Sequence, residues 1–160
     1  MKLIQINSRK YKNIYTKVDD SDYEWLNQWK WGLLNGNGWI YICRRPTINK
    51  KQIAIFMANE IMKPYHEMVI DHKNHDTFDN RKENLRICSR SENQRNAILS
   101  KNNTSGITGV SWVKPLKKWS AQINIYNKHI HLGVFKCKLQ AQTTRKNAEQ
   151  KYFGEFAYKL

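Results

Sequence analysis

The sequence predicts an α+β protein with two small domains, and three observations indicate this class. Short runs rich in β-branched and aromatic residues are separated by turn-forming residues, and few segments carry a helical pattern. A chain of 160 residues is long enough for one ordinary domain or two small ones. The polar, turn-prone block NAILSKNNTS at 96–105 separates two halves of different charge, which predicts domains at 1–97 and 105–160 joined by a linker at 98–104.

The chain is strongly basic. It has 28 Lys and Arg residues against 13 Asp and Glu residues, a net charge of +15. With 40% hydrophobic and 12% aromatic residues it is too apolar for a disordered tail, so we expect a folded basic surface that binds nucleic acid. Residues 101–160 hold 11 basic and 2 acidic side chains, which makes the second half the stronger binder of polyanions.

Cysteine usage and hydropathy indicate a soluble cytoplasmic protein. The three cysteines, Cys43, Cys88 and Cys137, form no CxxC pair and are odd in number, which excludes a zinc ribbon and disfavours a disulfide framework. The first residues, MKLIQINSRKYK, lack the apolar core of a signal peptide, and no later stretch approaches the length of a membrane span. We therefore expect no association with membranes.

The first half contains strand, helix and hairpin signals in close succession. Residues 2–18 hold two β-prone runs (LIQI and NIYTKV), and the block DDSD at 19–22 offers capping residues for a following helix. NGNG at 35–38 lies between aromatic and β-branched runs and predicts a hairpin. Residues 52–62 (QIAIFMANEIM) space apolar residues as in a buried helix, which Pro64 should end.

A group of polar residues marks the middle of the chain. VIDHKNHD at 69–76 puts an acid and a histidine side by side at the end of a predicted strand. ENLRI at 83–87 resumes a strand, and SRSE at 89–92 is a capping box that predicts the start of a helix. The expected order is strand, long hairpin loop, strand and helix, and its polar marks are Asp71, His72, Asn84 and Asn93.

These residue types suit the hydrolysis of a phosphodiester. The reaction needs a nucleophilic water and a cation that stabilises charge on phosphorus and on the leaving oxygen. Histidine accepts a proton near neutral pH, whereas carboxylate and amide oxygens hold hard divalent ions. Because adjacent strand residues point to opposite faces, we assign Asp71 to the metal and His72 to the water.

The spacing of these residues resembles the HNH family of homing endonucleases. The shared pattern is D-H, then N-L-R-I with its Asn twelve residues after the His, then an Asn nine residues further on a helix. It is closest to a phage group whose motif reads like DHxxxDTxDNRxENLRIC, and it covers residues 65–96. The resemblance implies a ββα-metal fold with a strand-rich N-terminal support, in which His72 is the general base. It further implies that Asp71 and Asn93 bind Mg²⁺ or Mn²⁺ and that Asn84 braces the loop that orients His72.

One departure from that family concerns the preceding helix. Many relatives carry Met-His-Arg there, where this chain has Met57-Ala58-Asn59. If the His-Arg pair grips a phosphate or stabilises the fold, we expect weaker activity here. The other polar residues have simpler interpretations, with His66 and His75 as loop residues, Asp76 and Asp79 as Asx-turn residues, and Cys88 as a buried hydrophobe.

The second half predicts a three-stranded antiparallel sheet and one helix. WSAQINIY at 119–126 alternates apolar and polar residues, so one face should pack and the other should be polar. Flanking strands are expected at 107–114 and 129–135, and a helix at 138–153 should cover the apolar face. The expected core includes Trp112 and Trp119 in the sheet and Leu139, Ala141, Ala148, Tyr152 and Phe153 in the helix.

This second half resembles the AP2 DNA-binding domain over nearly all of residues 105–157. The residues that carry the likeness are S-G-x-x-G-V-S-W, K-W-S-A-Q-I, H-L-G-V-F, a helix with Ala141, and F-G-E-F-A. A sheet of this kind can enter the major groove while lysines hold phosphates. The resemblance implies DNA contacts at Ser111, Val113, Lys117, Lys118, Gln122, Asn124, His129 and His131.

The two resemblances together imply a phage-type or mobile-intron homing endonuclease that acts on double-stranded DNA. One constellation in so short a chain fits a monomer that nicks or a homodimer that cuts both strands. A noncatalytic DNA-binding regulator that retains the HNH scaffold is the alternative. An RNA-binding protein would need aromatic residues on the polar face of the sheet, where only Tyr126 is expected.

Overall fold

The computed structural model describes residues 1–36, 38–96, 99, 102–125 and 128–157, apart from the side chain of Glu155. The chain divides into two compact units, Met1–Asn93 and Gln94–Leu160. The first unit combines several small antiparallel sheets with short helices, and the second combines one three-stranded antiparallel sheet with one long helix, which confirms the α+β class. The predicted domain boundaries and the linker at 98–104 stay a prediction, and most of residues 97–101 lie outside the described part of the chain.

The first unit begins with a strand pair and a helix. Strands β1 (Lys2–Gln5) and β2 (Tyr15–Val18) pair antiparallel, as the β-prone runs predict, and α1 (Asp20–Asn27) follows directly. Asp19 occupies the N-cap of α1 but makes no side-chain capping hydrogen bond. Its carboxylate instead accepts a hydrogen bond from the Lys82 backbone N–H at 2.8 Å, so it ties the later hairpin loop to the start of α1.

The predicted hairpin around NGNG is confirmed, and it belongs to a larger sheet. Strands β3 (Gly32–Gly36) and β4 (Trp39–Arg44) pair antiparallel, followed by the short pair β5 (Thr47–Ile48) and β6 (Lys51–Gln52). Strand β7 (Ile55–Phe56) joins the free edge of β4, and helix α2 (Met57–Met62) follows it.

The predicted helix over 52–62 is wrong in its first half. Ile55 pairs with Arg44 and Phe56 with Cys43, so backbone hydrogen bonding to β4 extends this stretch as a strand. The apolar spacing of a buried helix and that of a short strand are hard to distinguish in so short a run. The end of the helix is as predicted, because Lys63 adopts a left-handed conformation (φ 46°) just before Pro64.

The polar middle segment forms a hairpin and a helix in the predicted order. Strands β8 (Val69–His72) and β9 (Leu85–Cys88) pair antiparallel, and α3 (Arg90–Arg95) follows. The capping box is confirmed. The Glu92 carboxylate accepts from the Ser89 backbone N–H at 2.8 Å and from its hydroxyl at 2.7 Å, and Ser89 Oγ accepts from the Glu92 N–H at 3.3 Å.

One apolar cluster holds the first unit together. Burying a large apolar side chain contributes roughly 1.5–3 kcal/mol, so these residues dominate its stability. Trp31 is fully buried and donates its indole N–H to the Leu26 carbonyl at 2.8 Å. The buried members are Ile4, Ile6, Val18, Leu26, Trp31, Ile42, Met57, Ala58, Ile61 and Leu85.

The second unit is a three-stranded antiparallel sheet covered by one helix. Its strands β10 (Val110–Val113), β11 (Lys118–Ile125) and β12 (Lys128–Phe135) lie in that order. Helix α4 spans Lys138–Phe153 and ends in a short 3-10 helix at Gly154–Phe156. Ala141 of α4 packs with Ala121, and Ala148 packs with Ile123 and Ile125, so the helix covers the apolar face as predicted.

Three residues predicted for the core of this unit are largely exposed. Leu139 is 67% exposed, Tyr152 42% and Trp112 44%, so these expectations are wrong. The buried positions of α4 recur at helical spacing through Ala141, Arg145 and Ala148, which leaves Leu139 and Tyr152 off the packed stripe. Trp112 lies on the edge strand β10 and meets the half-buried Trp119 edge to face, with ring centroids 5.3 Å apart.

Arg145 is the buried charge that the sequence pattern missed. Its Nε donates to the Thr108 carbonyl at 2.8 Å, and its guanidinium pairs with Glu149 at 3.0 Å. The side chain lies beneath Gly109, whose carbonyl accepts a hydrogen bond from the Gln122 N–H at 2.8 Å. Arg145 therefore fixes the turn that enters the sheet.

Replacing Gly109 by alanine should destabilise the second unit. The backbone there has a φ of +78°, and an added Cβ would clash with the Gln122 carbonyl and lie 2.7 Å from Arg145 Nε. Gly109→Ala should cost at least about 2 kcal/mol and lower the melting temperature. The matched control is Gly154→Ala, since φ is also positive there (+53°) but no described atom lies within 4 Å of the added Cβ. If circular dichroism gave both variants the same melting temperature, the close contact of Gly109 with Gln122 and Arg145 would be contradicted.

Candidate active site

The hairpin of β8 and β9 places the predicted metal ligand Asp71 and the predicted general base His72 on opposite faces. Asp71 pairs across the hairpin with Arg86, and His72 pairs with Leu85. Since side chains alternate along a strand, Asp71 faces Arg86 on one side while His72 faces the hairpin loop on the other. The loop between the strands, residues 73–84, then returns over the His72 side.

Asp71 forms a buried ion pair that sequence analysis did not anticipate. Its Oδ2 accepts hydrogen bonds from Arg86 Nε at 2.8 Å and from Arg86 Nη2 at 2.6 Å. The two side chains are only 7% and 10% exposed. The sequence holds part of the signal, because Asp71 and Arg86 lie in the two strands of the predicted hairpin, and the observed register places Arg86 opposite Asp71.

The His72 ring is oriented by Asn80. His72 Nε2 lies 3.3 Å from Asn80 Oδ1. Asn80 donates its amide N–H groups to Thr16 Oγ1 at 2.9 Å and to the Thr77 carbonyl at 3.2 Å, which fixes the direction of its oxygen. His72 Nε2 must then carry the proton, so in the neutral ring Nδ1 carries the lone pair.

Burial keeps this imidazole neutral. Desolvation lowers the pKa of His72, and the hydrogen bond to Asn80 together with the negative charge of Asp71 opposes that shift without cancelling it. A neutral ring near pH 7 can accept a proton, whereas an imidazolium cannot. The arrangement is therefore suited to removing a proton from water.

Asn84 holds the hairpin loop in place. It is 5% exposed, and its side-chain amide donates to the Asp79 carbonyl at 2.8 Å. Its side-chain oxygen accepts from the Asn74 backbone N–H at 3.1 Å, and its carbonyl accepts from the Lys73 N–H at 2.9 Å. These contacts join the two ends of the loop that carries Asn80.

The remaining loop acids have structural partners. Asp76 accepts from the Phe78 backbone N–H at 3.0 Å, as an Asx turn requires. Asp79 is 2% exposed and pairs with Arg81 Nε at 2.7 Å and Nη2 at 2.6 Å. The hydrogen bond from Arg81 lowers the pKa of Asp79. Asp79 is therefore an ion-pair partner, which the sequence interpretation as an Asx-turn residue did not include.

The two other histidines near the motif and Cys88 lie in three different environments. His75 adopts a left-handed turn (φ 62°), as expected of a loop residue, and its half-buried ring stacks on Trp39 with centroids 6.4 Å apart. The His66 side chain is 96% exposed. Cys88 is 1% exposed, and burial raises the pKa of its thiol to about 11, which fits a buried hydrophobe.

Asn93 lies on α3 as predicted, with a half-buried side chain. In the described part of the chain this side chain makes no hydrogen bond to Asp71 or His72. The described part of the chain also contains no group of three or more His, Cys, Asp or Glu side chains placed to hold a metal ion. Asp71 on β8 and Asn93 on α3 offer one carboxylate and one amide.

Seven of the eight residues expected to contact DNA share one face of the second unit's sheet. This polar sheet face lies opposite α4, and its members are Ser111, Val113, Lys118, Gln122, Asn124, His129 and His131. Gln122 is paired with His131 and Asn124 with His129, so amide and imidazole groups alternate across two strands. Lys117 lies in the turn before β11 with a φ of 47°. Tyr126 lies outside the described residues.

Residues 63–95 match the family model of an HNH endonuclease. The matched segment contains β8, the hairpin loop, β9 and α3. The match supports an HNH nuclease, a hydrolase that cleaves DNA. No curated protein and no solved structure matches the chain. Within the described residues, no helix has both the length and the apolar character needed to cross a membrane.

The protein should lose stability as the pH falls below about 6.5, the ordinary pKa of histidine. Burial lowers the pKa of both His72 and His75, so the unfolded chain, with histidines near pKa 6.5, binds more protons in this range. Their contribution to stability is therefore present above about pH 6.5 and lost as the pH falls through the lowered native values. The melting temperature should follow that direction, and His72→Gln should reduce its pH dependence. His66→Gln, at an exposed position, is the control, and an unchanged slope in His72→Gln would contradict the burial of His72.

Proposed function

We propose that the protein is a metal-dependent HNH endonuclease that hydrolyses phosphodiester bonds of double-stranded DNA. The observation that carries this proposal is the His72 imidazole oriented by Asn80, next in sequence to the Asp71 carboxylate within the segment that matches the HNH model. Burial lowers the pKa of this ring, which favours its neutral form. The basic charge of the chain supports a DNA substrate.

His72 is the general base in this proposal. Its Nδ1 lone pair takes a proton from the attacking water, and the Nε2–H bond to Asn80 keeps the ring at a fixed angle while it becomes charged. The carboxylates of Asp71, Asp76 and Asp79 stabilise the resulting imidazolium. A positioned base of this kind contributes about 10²–10⁴-fold in rate. Asn84 is a positioning residue, which acts through the loop that carries Asn80.

Asp71 and Asn93 are the proposed ligands of a divalent cation. Their carboxylate and amide oxygens match the hard donors that Mg²⁺ or Mn²⁺ takes in proteins. Two protein ligands suffice, because Mg²⁺ sites usually combine one or two protein ligands with water and substrate phosphates. When bound, the cation would supply charge stabilisation to the phosphate and to the leaving oxygen.

The second unit is the proposed DNA-docking module, with an AP2-like use of its sheet. Its polar sheet face presents amide and imidazole groups that suit base edges in the major groove. Lys118 lies on this face and Lys117 in the turn beside it, and both suit phosphates of the DNA backbone. Ser111, Val113 and His131 would read bases more weakly than the arginine and tryptophan residues that plant AP2 members carry at several contact positions.

The resemblance of residues 65–96 to HNH homing endonucleases supports a narrower assignment. We infer a phage-type or mobile-intron homing endonuclease, active in the cytoplasm, as a monomer or a homodimer. Activity below that of relatives with Met-His-Arg is expected from Met57-Ala58-Asn59, of which Ala58 is buried on α2. That departure also favours the second candidate, a noncatalytic DNA-binding regulator.

The catalytic role is tested with supercoiled plasmid and the full chain. The wild type should convert it to open circle or linear DNA with Mg²⁺ or Mn²⁺ and not with EDTA. His72→Ala should cut at least about 10²-fold more slowly while it still binds DNA in gel shifts. His66→Ala, at a 96% exposed side chain, should cut like the wild type. Equal cutting by His72→Ala would reject the assigned base, and DNA binding without cutting by the wild type would favour the regulator.

The docking role is tested by removing side chains from the polar sheet face. The double variant Gln122→Ala/Asn124→Ala should bind a duplex selected from a random library at least about tenfold more weakly, since a good base contact is worth about 1–3 kcal/mol. Gln140→Ala/Asn147→Ala removes the same side-chain types from the exposed surface of α4 and is the matched control. Equal affinities for both double variants would contradict base readout by this sheet.

A further inference from the structure

The carboxylate proposed to hold the cation already has a cationic partner. Asp71 Oδ2 accepts two hydrogen bonds from Arg86, at 2.8 and 2.6 Å, in a pair that is almost fully buried. A charged hydrogen-bonded pair of this kind is among the stronger polar contacts in a protein. A cation that takes Asp71 must therefore share or displace this guanidinium.

In the free protein, binding of a divalent cation at Asp71 in competition with the Arg86 guanidinium is electrostatically unfavourable. A dication at Asp71 would lie close to the positive Arg86, and a site this buried screens their repulsion weakly. A DNA phosphate at the same place adds a negative charge between the two cations. Positive and negative charges then alternate, and the repulsion is relieved.

Arginine is suited to this exchange of partners. Its planar guanidinium binds carboxylates and phosphates with the same paired hydrogen bonds. Arg86 therefore loses little when it passes from the Asp71 carboxylate to a phosphate oxygen. The next buried carboxylate, Asp79, does not replace Asp71 as a ligand because Arg81 holds it at 2.6 and 2.7 Å.

We propose that Arg86 couples the binding of the divalent cation to the binding of the DNA phosphate. In the free protein Arg86 holds Asp71 in place and weakens binding of the cation there. When DNA is bound, Arg86 turns to a phosphate oxygen and Asp71 becomes available to the cation. This inference rests on the proposed function, and it makes Arg86 a positioning residue for Asp71 and a contact for the phosphate.

Coupling of this kind acts in both directions. If DNA tightens the binding of the cation by some factor, the cation must tighten the binding of DNA by the same factor. Couplings between two sites are typically about 5–150-fold. The consequence for the enzyme is that the site assembles fully only on its substrate.

The test measures Mn²⁺ affinity by electron paramagnetic resonance in the His72→Ala background, where DNA should stay intact. The probes are Mn²⁺ alone and Mn²⁺ with a random-sequence duplex. The parent should bind Mn²⁺ weakly when free, and DNA should tighten that binding by about tenfold or more. Arg86→Met should bind Mn²⁺ about tenfold more tightly than the parent in the absence of DNA, and DNA should then tighten it less.

Two further variants separate charge from structure. Arg86→Lys keeps the positive charge, so its free-protein affinity for Mn²⁺ should stay close to that of the parent. Arg44→Met breaks the partly buried pair with Glu60, outside the hairpin, and should leave the Mn²⁺ affinity unchanged. If Arg86→Met does not fold, Arg86→Gln carries the same test, because it keeps hydrogen-bond donors without the charge.

The outcomes distinguish this inference from the proposed function. If Arg86→Met or Arg86→Gln binds Mn²⁺ no more tightly than the parent, Arg86 is only a structural partner and the coupling is wrong. Asp71→Asn should abolish specific Mn²⁺ binding. If Asp71→Asn binds Mn²⁺ as well as the parent, the proposed metal ligand itself is wrong, whatever Arg86 does.

Discussion

The hydrogen bonds that tie the hairpin loop to strand β2 are the constraint on which the candidate site depends. Asn80 donates to Thr16 Oγ1 at 2.9 Å, and Thr16 donates to the Phe78 carbonyl at 2.8 Å. The backbone of Lys17 adds two bonds, to the Phe78 carbonyl at 2.8 Å and from the Asn80 N–H at 2.9 Å. Because Asn80 and Thr16 are buried, leaving either group unpaired would be costly. The strand-rich start of the chain thus supports the orientation of His72.

Two different electrostatic environments meet in this hairpin. On one face, burial favours the neutral form of His72, and Asn80 supplies only a dipole. On the other face, Asp71 stays paired with Arg86. Since side chains alternate along a strand, this single short element presents the His72 imidazole on one face and the Asp71 carboxylate on the other.

The sequence predicted the local features well and the long-range partners poorly. The capping box at Ser89 and the bounds of α4 follow from residue types within a few positions of each other, and both are observed. The bond from Asn80 to Thr16 joins residues 64 positions apart, and local periodicity contains no signal for it. Arg145 was missed because burial of a charge depends on partners from another element, here the Thr108 carbonyl. The assigned roles of the site residues stay predictions.

The most direct test of the account is the protonation state of the His72 ring, read from long-range ¹H–¹⁵N NMR correlations at pH 7 and through a pH titration. The ring should be neutral, with its proton on Nε2 and a pKa below the ordinary value of about 6.5. Asn80→Ala should remove the preference for the tautomer protonated on Nε2, while the ring stays half-buried. A ring that is protonated at pH 7, or that carries its proton on Nδ1 in the wild type, would contradict the claim that Asn80 orients His72 as a base.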